Sequence, residues 1–309
     1  MVAAAGGHVE ELWRLRPRLV GLGGDVTWVT ADTPQTRSLL AGEQRLFAPP
    51  ARPRDVGATL ANLRLAHHIL ALDDWTDVVS TGPLMAVPFM TLARAKGIRC
   101  HFIESSSRVL GPSLTAKILE RTPGVVCYSP YPWWERRSWR YRGSVLDGFV
   151  PAPTSTPSLQ RVVVTVGTSG YGFRRLVQRL IDVLPASCDV LWQIGATDVT
   201  GLDIAARRFV PRTELVTAMH DADLVVSHAG VGSALTAMCT GRAPLLVPRR
   251  AGYHEHVDDH QQQIADELER RGLALTCDLG DVEPDFLWKA ASARVTVAEP
   301  VRPFALDGV

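Results

Sequence analysis

The stretch from Asp223 to Gln261, DLVVSHAGVGSALTAMCTGRAPLLVPRRAGYHEHVDDHQ, leaves few folds open to this chain. Leu224 to Val226 is a short apolar, β-branched run, the pattern of a parallel strand buried on both faces. Gly230 and Gly232 follow at once, where the chain must turn tightly and let a group approach its backbone. Ser233 opens an apolar helical stretch that Gly241 and Pro244 terminate, and Leu245 to Val247 supplies the next buried strand. Strand, glycine turn, helix and strand together make a β/α unit of a parallel sheet. The free N–H groups at the helix start form a site for an anion such as phosphate. The following loop carries His254, Glu255, His256, Asp258, Asp259, His260 and Gln261. So many polar groups suit the hydroxyls of a sugar or ribose better than an apolar ligand. His256 and His260, four apart, have the spacing of a helical zinc pair, but no cysteine or further histidine set completes one.

The same alternation runs along the whole chain and predicts two doubly wound α/β domains. The first covers residues 1–150. It comprises a short apolar start at 1–5, a helix over Val9 to Leu22 interrupted by Pro17, and strands at Asp25 to Thr30 and Asp77 to Ser80. Strands at Ile98 to Ile103, Gly124 to Tyr128 and Ser144 to Leu146 complete it, with a proline-rich loop over 46–53. Residues 151–160, PAPTSTPSLQ, have a linker's composition, with three prolines and no charge. The second domain, 161–309, opens on RVVVTV and the glycine turn VTVGTSGYGF. It continues through strands at Val190 to Ile194, Phe209-Val210 and Leu273 to Thr276. In its opening turn Gly167, Thr168 and Ser169 offer backbone N–H groups and hydroxyls at a helix start, a second diphosphate-type cradle. Gln193 ends a strand on the same side, within reach of the same ligand.

In the first domain, Gly6 and Gly7 precede His8 at the end of the opening strand, with Glu10 and Glu11 just inside the helix. A neutral histidine there can take a proton from an acceptor hydroxyl. FIESSSRVLGPSLTAKIL (102–119) adds Glu104 at a strand end, able to orient an acceptor or assist His8. Ser105, Ser106 and Arg108 add hydroxyls and a guanidinium suited to an acceptor's phosphate or hydroxyls.

SHAGVGS (227–233), PLLVP (244–248) and EHVDDHQ (255–261) resemble the donor-binding half of family-28-type GT-B glycosyltransferases. GGHVEE (6–11) and the 102–119 segment are similar to the acceptor-side partner in the two-component members of that family. The resemblance implies two Rossmann-like domains facing a cleft, as in a fused form of an enzyme made elsewhere as two subunits. It implies that His228, Gly230, Val231, Gly232 and Ser233 hold the donor diphosphate, and that Glu255, His256, Asp259, His260 and Gln261 contact the donor. Catalysis then falls to His8, with Glu104 in reserve. The activity implied is inverting transfer from a nucleoside-diphosphate sugar, UDP-linked by family habit, without metal or other cofactor. The acceptor is polyprenyl-linked or a small molecule. One position departs from the pattern: Thr236 stands where the ribose-binding Glu is usual. A sugar-nucleotide epimerase on the same fold and a non-catalytic nucleotide-sugar scaffold are the alternatives.

A net charge of +1 argues against nucleic-acid partners. It is unevenly spread, with 18 basic against 13 acidic residues in 1–150, which suits an anionic partner for the first half. The five cysteines lack CxxC spacing, the pattern of reduced thiols in a cytoplasm. PWWERRSWRYR (132–142) mixes Trp133, Trp134 and Trp139 with four arginines, suited to packing or to the inner face of a membrane.

Overall fold

The computed structural model describes residues 1–50, 56–168, 170–256 and 260–308. The chain divides into two compact units: Met1–Val145 with Val301–Val309, and Leu146–Pro300. Ser169, Asp258 and Asp259 lie outside the described residues.

The first unit is built on a seven-stranded parallel sheet. Its strands run in the order Gln44–Phe47, Thr27–Thr30, Val2–Ala3, Asp77–Gly82, Arg99–Ile103, Val125–Ser129 and Trp139–Tyr141. The shortest strand is central, with Val2 in register with Val29 on one side and Ser80 on the other. Counted in chain order the sheet reads 3-2-1-4-5-6-7, so strand order reverses between Val2–Ala3 and Asp77–Gly82. Crevices outside the carboxyl ends of strands at such a reversal are where ligands bind in α/β sheets. A core of fully buried residues, among them Phe89, Phe102, Met90 and Trp139, packs on the sheet.

Three elements differ from expectation. The opening helix is Gly7–Leu15, not a run to Leu22. Pro17 has no N–H to continue the ladder, so the chain tightens into a 3-10 turn and leaves extended. Leu19–Val20 then pairs in parallel with Phe304–Ala305. Gln44–Phe47, expected in part as loop, is an edge strand. Ser144 to Leu146 is not a strand; a 3-10 turn covers Val145–Gly148, and the outer strand is Trp139–Tyr141 in the tryptophan–arginine segment.

The second unit has a six-stranded parallel sheet in the order Ala206–Arg207, Asp189–Gln193, Arg161–Thr165, Leu224–His228, Leu245–Val247, Leu275–Thr276. In chain order this is 3-2-1-4-5-6, and the reversal falls between Arg161–Thr165 and Leu224–His228. Both strands are buried on both faces from Val162 and Leu224 onward, as their β-branched runs require. The third strand lies at Ala206–Arg207, not Phe209-Val210. Residues 151 and 152, at the start of the proline-rich segment, belong to a strand: Phe149–Ala152 pairs antiparallel with Arg294–Val297. No helix among the described residues is long and apolar enough to cross a membrane.

Candidate functional site

At the reversal point of the second unit, two glycine turns close around one imidazole. His228 ends its strand, is 7% exposed, and lies so near both turns that neither can carry a side chain. A Cβ on Gly167 would meet the His228 ring at 2.5 Å, and one on Gly230 would meet Nε2 at 2.2 Å. Gly167 also has φ +76°, a backbone region L-residues avoid. Gly195 completes the fit, because its Cβ would lie 2.3 Å from the Gly167 carbonyl oxygen. Burial holds the His228 pKa well below the ordinary histidine value, and the Arg249 cation pushes it further down. The ring is therefore neutral at physiological pH. Gly230, the N-cap of the helix Val231–Cys239, has no side chain with which to cap it. The first-turn amides of Val231, Gly232 and Ser233 lack intrahelical acceptors. Thr168 is exposed in the facing turn. Together these groups make an anion-receiving surface: oriented N–H dipoles with a polarisable ring beside them.

The residues expected to contact sugar divide into two sets. Gln261 and Glu255 are buried and already engaged. Gln261 Oε1 accepts the Arg249 backbone N–H at 3.1 Å. Glu255 takes Arg175 in a two-pronged ion pair, 2.9 Å at each oxygen, and accepts the Arg250 N–H. Gln193 likewise works inside the fold: its amide nitrogen donates to Thr165 Oγ1 at 2.7 Å and its oxygen accepts the Val210 N–H. These three shape the loops through the contacts they make. His256 and His260 remain partly exposed, rings edge to face at 4.7 Å, with Tyr171 beside His256. Asp259 and Ser169 fall outside the described residues. At the departing position, the Thr236 hydroxyl donates back to the Gly232 carbonyl at 2.9 Å, buried in the helix. No group of three or more His, Cys, Asp or Glu among the described residues is arranged to hold a metal.

The first unit repeats the pattern at its own reversal point. Gly6, at φ +92°, lets the chain swing from the central strand into the helix Gly7–Leu15, which places His8 in the first turn. His8 Nδ1 lies 2.7 Å from the Thr81 carbonyl oxygen, and the Thr81 hydroxyl donates to the His8 carbonyl. A carbonyl only accepts, so Nδ1 carries the hydrogen and Nε2 the lone pair, the tautomer a general base needs. Glu104 is 3% exposed, and its two oxygens accept the Ser105 and Ser113 amides at 3.1 and 2.8 Å. It thus clamps the 105–113 loop, and burial raises its pKa.

Sequence reasoning named Glu11 beside His8 without giving it a role, and passed over a second residue. Glu11, three positions after His8 on the same helix face, accepts both the N–H and the hydroxyl of Ser106. Its other oxygen is buried without a hydrogen bond of good geometry to any described residue, beside a cavity of about 10 Å³, room for about one water. Burial pushes its pKa up to about 7, against the Ser106 and Ser105 hydroxyls that pull it down. Glu11 therefore ties the helix of His8 to the loop of Ser105, Ser106 and Arg108. The GGHVEE spacing already held that signal. The second is Arg249, 1% exposed, whose guanidinium lies under the Gly167 turn.

Residues 161–282 match the model of the glycosyltransferase family 28 C-terminal domain. The UDP-N-acetylglucosamine transferase subunit ALG13 of Kluyveromyces lactis is 30% identical over 139 residues, 42% of this chain and 68% of that protein. The subunit of the same name from Cryptococcus neoformans is 37% identical over 87 residues, 27% of this chain and 40% of that protein, so the chain spans less than half of that relative. Among solved structures, the glycosyltransferase SnogD from Streptomyces nogalater superposes with a TM-score of 0.58 at 15% identity, over 94% of this chain and 90% of that one. At that identity the likeness is one of fold. Turn, imidazole, helix and family match converge, and the chain belongs to the family-28 glycosyltransferases of GT-B fold.

Proposed function

We propose that the chain transfers a sugar, with inversion, from a nucleoside-diphosphate donor held by the second unit to an acceptor hydroxyl bound by the first. In a single displacement the acceptor oxygen bonds to the anomeric carbon as the bond from that carbon to the diphosphate breaks. The acceptor proton passes to His8 Nε2, and the electron pair leaves with the diphosphate. The N–H groups at Val231 to Ser233 and the Gly167 turn meet the charge that develops there, the kind of preorganised stabilisation that lowers barriers most. The observation that carries this reading is the His228 ring, clasped by two glycine turns that tolerate no side chain. Glycines confined by a functional ring, at a helix start and a strand reversal, fit close approach of a diphosphate better than a plain corner. A UDP donor is the reading favoured by the ALG13 relatives, which are UDP-N-acetylglucosamine transferase subunits. Incubation with a panel of UDP- and TDP-sugars, with and without candidate acceptors, tests it. Nucleoside diphosphate released only when acceptor is present supports transfer. Interconversion of the sugar with no acceptor would instead make the chain an epimerase.

The acceptor side is proposed to work at a lipid surface. Leu110, Leu114, Ile118 and Trp133 are exposed on the first unit, Leu110 by 80% and Leu114 by 72%. Lys117 and Arg121 stand exposed on the same short segment. An apolar ridge flanked by cations fits an anionic membrane and a polyprenyl-linked acceptor. Trp134 and Trp139 take no part in it, since their rings pack on each other at 5.0 Å in the core.

A further inference from the structure

The anion-receiving turn of the second unit has a fastener that lies beneath it. Arg249 follows the strand Leu245–Val247 and is among the largest fully buried side chains of the protein. Its Nη2 donates to two carbonyl oxygens, those of Val166 and of Tyr171, the latter at 2.8 Å. These residues are the two ends of the glycine turn VGTSGY. Arg249 also donates its backbone N–H to Gln261 Oε1, which fastens the start of the helix His260–Arg270. One residue therefore joins the glycine turn, the strand beside His228, and the segment carrying His260 and Gln261. A trans peptide sets N–H opposite to C=O. Drawing the Val166 and Tyr171 carbonyls inward thus directs the following amides away from the guanidinium, that of Gly167 toward Thr165 Oγ1 at 3.4 Å and that of Gly172 to the other side of its peptide. A buried cation so close to the turn also adds positive potential that a diphosphate would feel in a low-dielectric setting.

We propose that Arg249 is the positioning residue of the donor site, holding Val166 and Tyr171 so that the turn they bound receives a diphosphate, without itself touching the donor. This rests on the donor reading above. Both bonds leave the single nitrogen Nη2, whereas a lysine ammonium keeps the charge but ends one bond nearer its backbone and lacks the rigid guanidinium plane, so it separates shape from charge.

The 309-residue chain and its Arg249→Lys variant are titrated calorimetrically with inorganic pyrophosphate and with UDP, alongside thermal melting. The expected result is a ten- to hundredfold loss of affinity for both ligands in the variant, the scale of a lost hydrogen bond to a charged group. Exchange of backbone amides in the wild type, followed by NMR, should slow at residues 170–172 when pyrophosphate binds, Phe173 being already bonded to Thr197 Oγ1. A folded Lys variant with wild-type affinities overturns the proposal. So does pyrophosphate binding to the wild type without protection at 170–172, whatever becomes of the variant. Binding of neither ligand to the wild type would remove the donor reading itself, and Arg249's role with it.

Discussion

Replacing His8 with alanine removes Nε2, which holds the lone pair because Nδ1 gives its hydrogen to the Thr81 carbonyl. If that nitrogen takes the acceptor proton, turnover should fall by about 10² to 10⁴ with little change in donor affinity, measured as kcat against the donor Kd. Loss confined to donor affinity would return His8 to a structural part. Glu11 makes a second residue-scale prediction, through pH. Its folded pKa of about 7 stands above its ordinary value of 4.5. The folded protein therefore holds its proton more tightly than the unfolded chain, and stability is full below about pH 4.5 and drains as pH rises through 7. The loss is roughly 3 kcal/mol at 1.36 kcal/mol per pKa unit. Glu11→Gln keeps an acceptor for Ser106 and cannot ionise, so its melting temperature should fall less than wild type's between pH 5 and pH 8. Parallel curves would show that Glu11 does not titrate there. At this scale the sequence was readable wherever chemistry and backbone demand coincide, as at Gly167, His228 and Gly230. It was silent where a side chain's use depends on distant partners. Arg249 looks like a surface arginine until the 166–171 turn closes over it, and Gln193 looks like a ligand contact until Val210 claims its oxygen.

Among elements, the long β-branched runs announced themselves as strands, and the glycine turns announced the corners after them. Elements with weak local signals did not. Gln44–Phe47 is two polar residues followed by two apolar ones, with no alternation, beside a proline-rich stretch, and Trp139–Tyr141 hides among arginines. Each is a strand because an already formed neighbour offers hydrogen bonds, which is tertiary context rather than propensity. The helix Leu114–Leu119 carries the element-scale prediction. Ser113 caps it, its inner side packs Ala116 and Leu119 in the core, and Leu114 and Ile118 remain outside. Flotation with vesicles containing anionic lipid should recover the protein at low salt and less of it at moderate salt, since screening weakens the part played by Lys117 and Arg121. Leu114→Asp with Ile118→Asp should abolish flotation and leave melting nearly unchanged. Undiminished flotation of that variant would place the lipid contact elsewhere.

For the molecule as a whole, the division into units does not follow the order of the chain. The first unit needs residues from both ends, because Phe304 is fully buried against Tyr128 at 5.4 Å and Asp307 pairs with Arg140 and Arg142. Phe304→Ala should cost the first unit about 3 to 5 kcal/mol while pyrophosphate affinity, which the proposed donor site would lodge in the second, stays within twofold. Calorimetric melting with and without pyrophosphate would separate the two effects. Composition gave no hint of this return, since the pairing of Phe304–Ala305 with Leu19–Val20 spans nearly the entire chain. The second unit, by contrast, is one uninterrupted stretch, entered at Leu146 and left at Pro300, with its first and last strands paired. On the ribosome these differences become an order of events. The second unit can close its core while synthesis continues, whereas the first, though translated earlier, waits for residues 301–308 before its core is complete. A nascent chain stalled before them would hold a finished second unit yet expose the seat of Phe304, a state for chaperones to recognise.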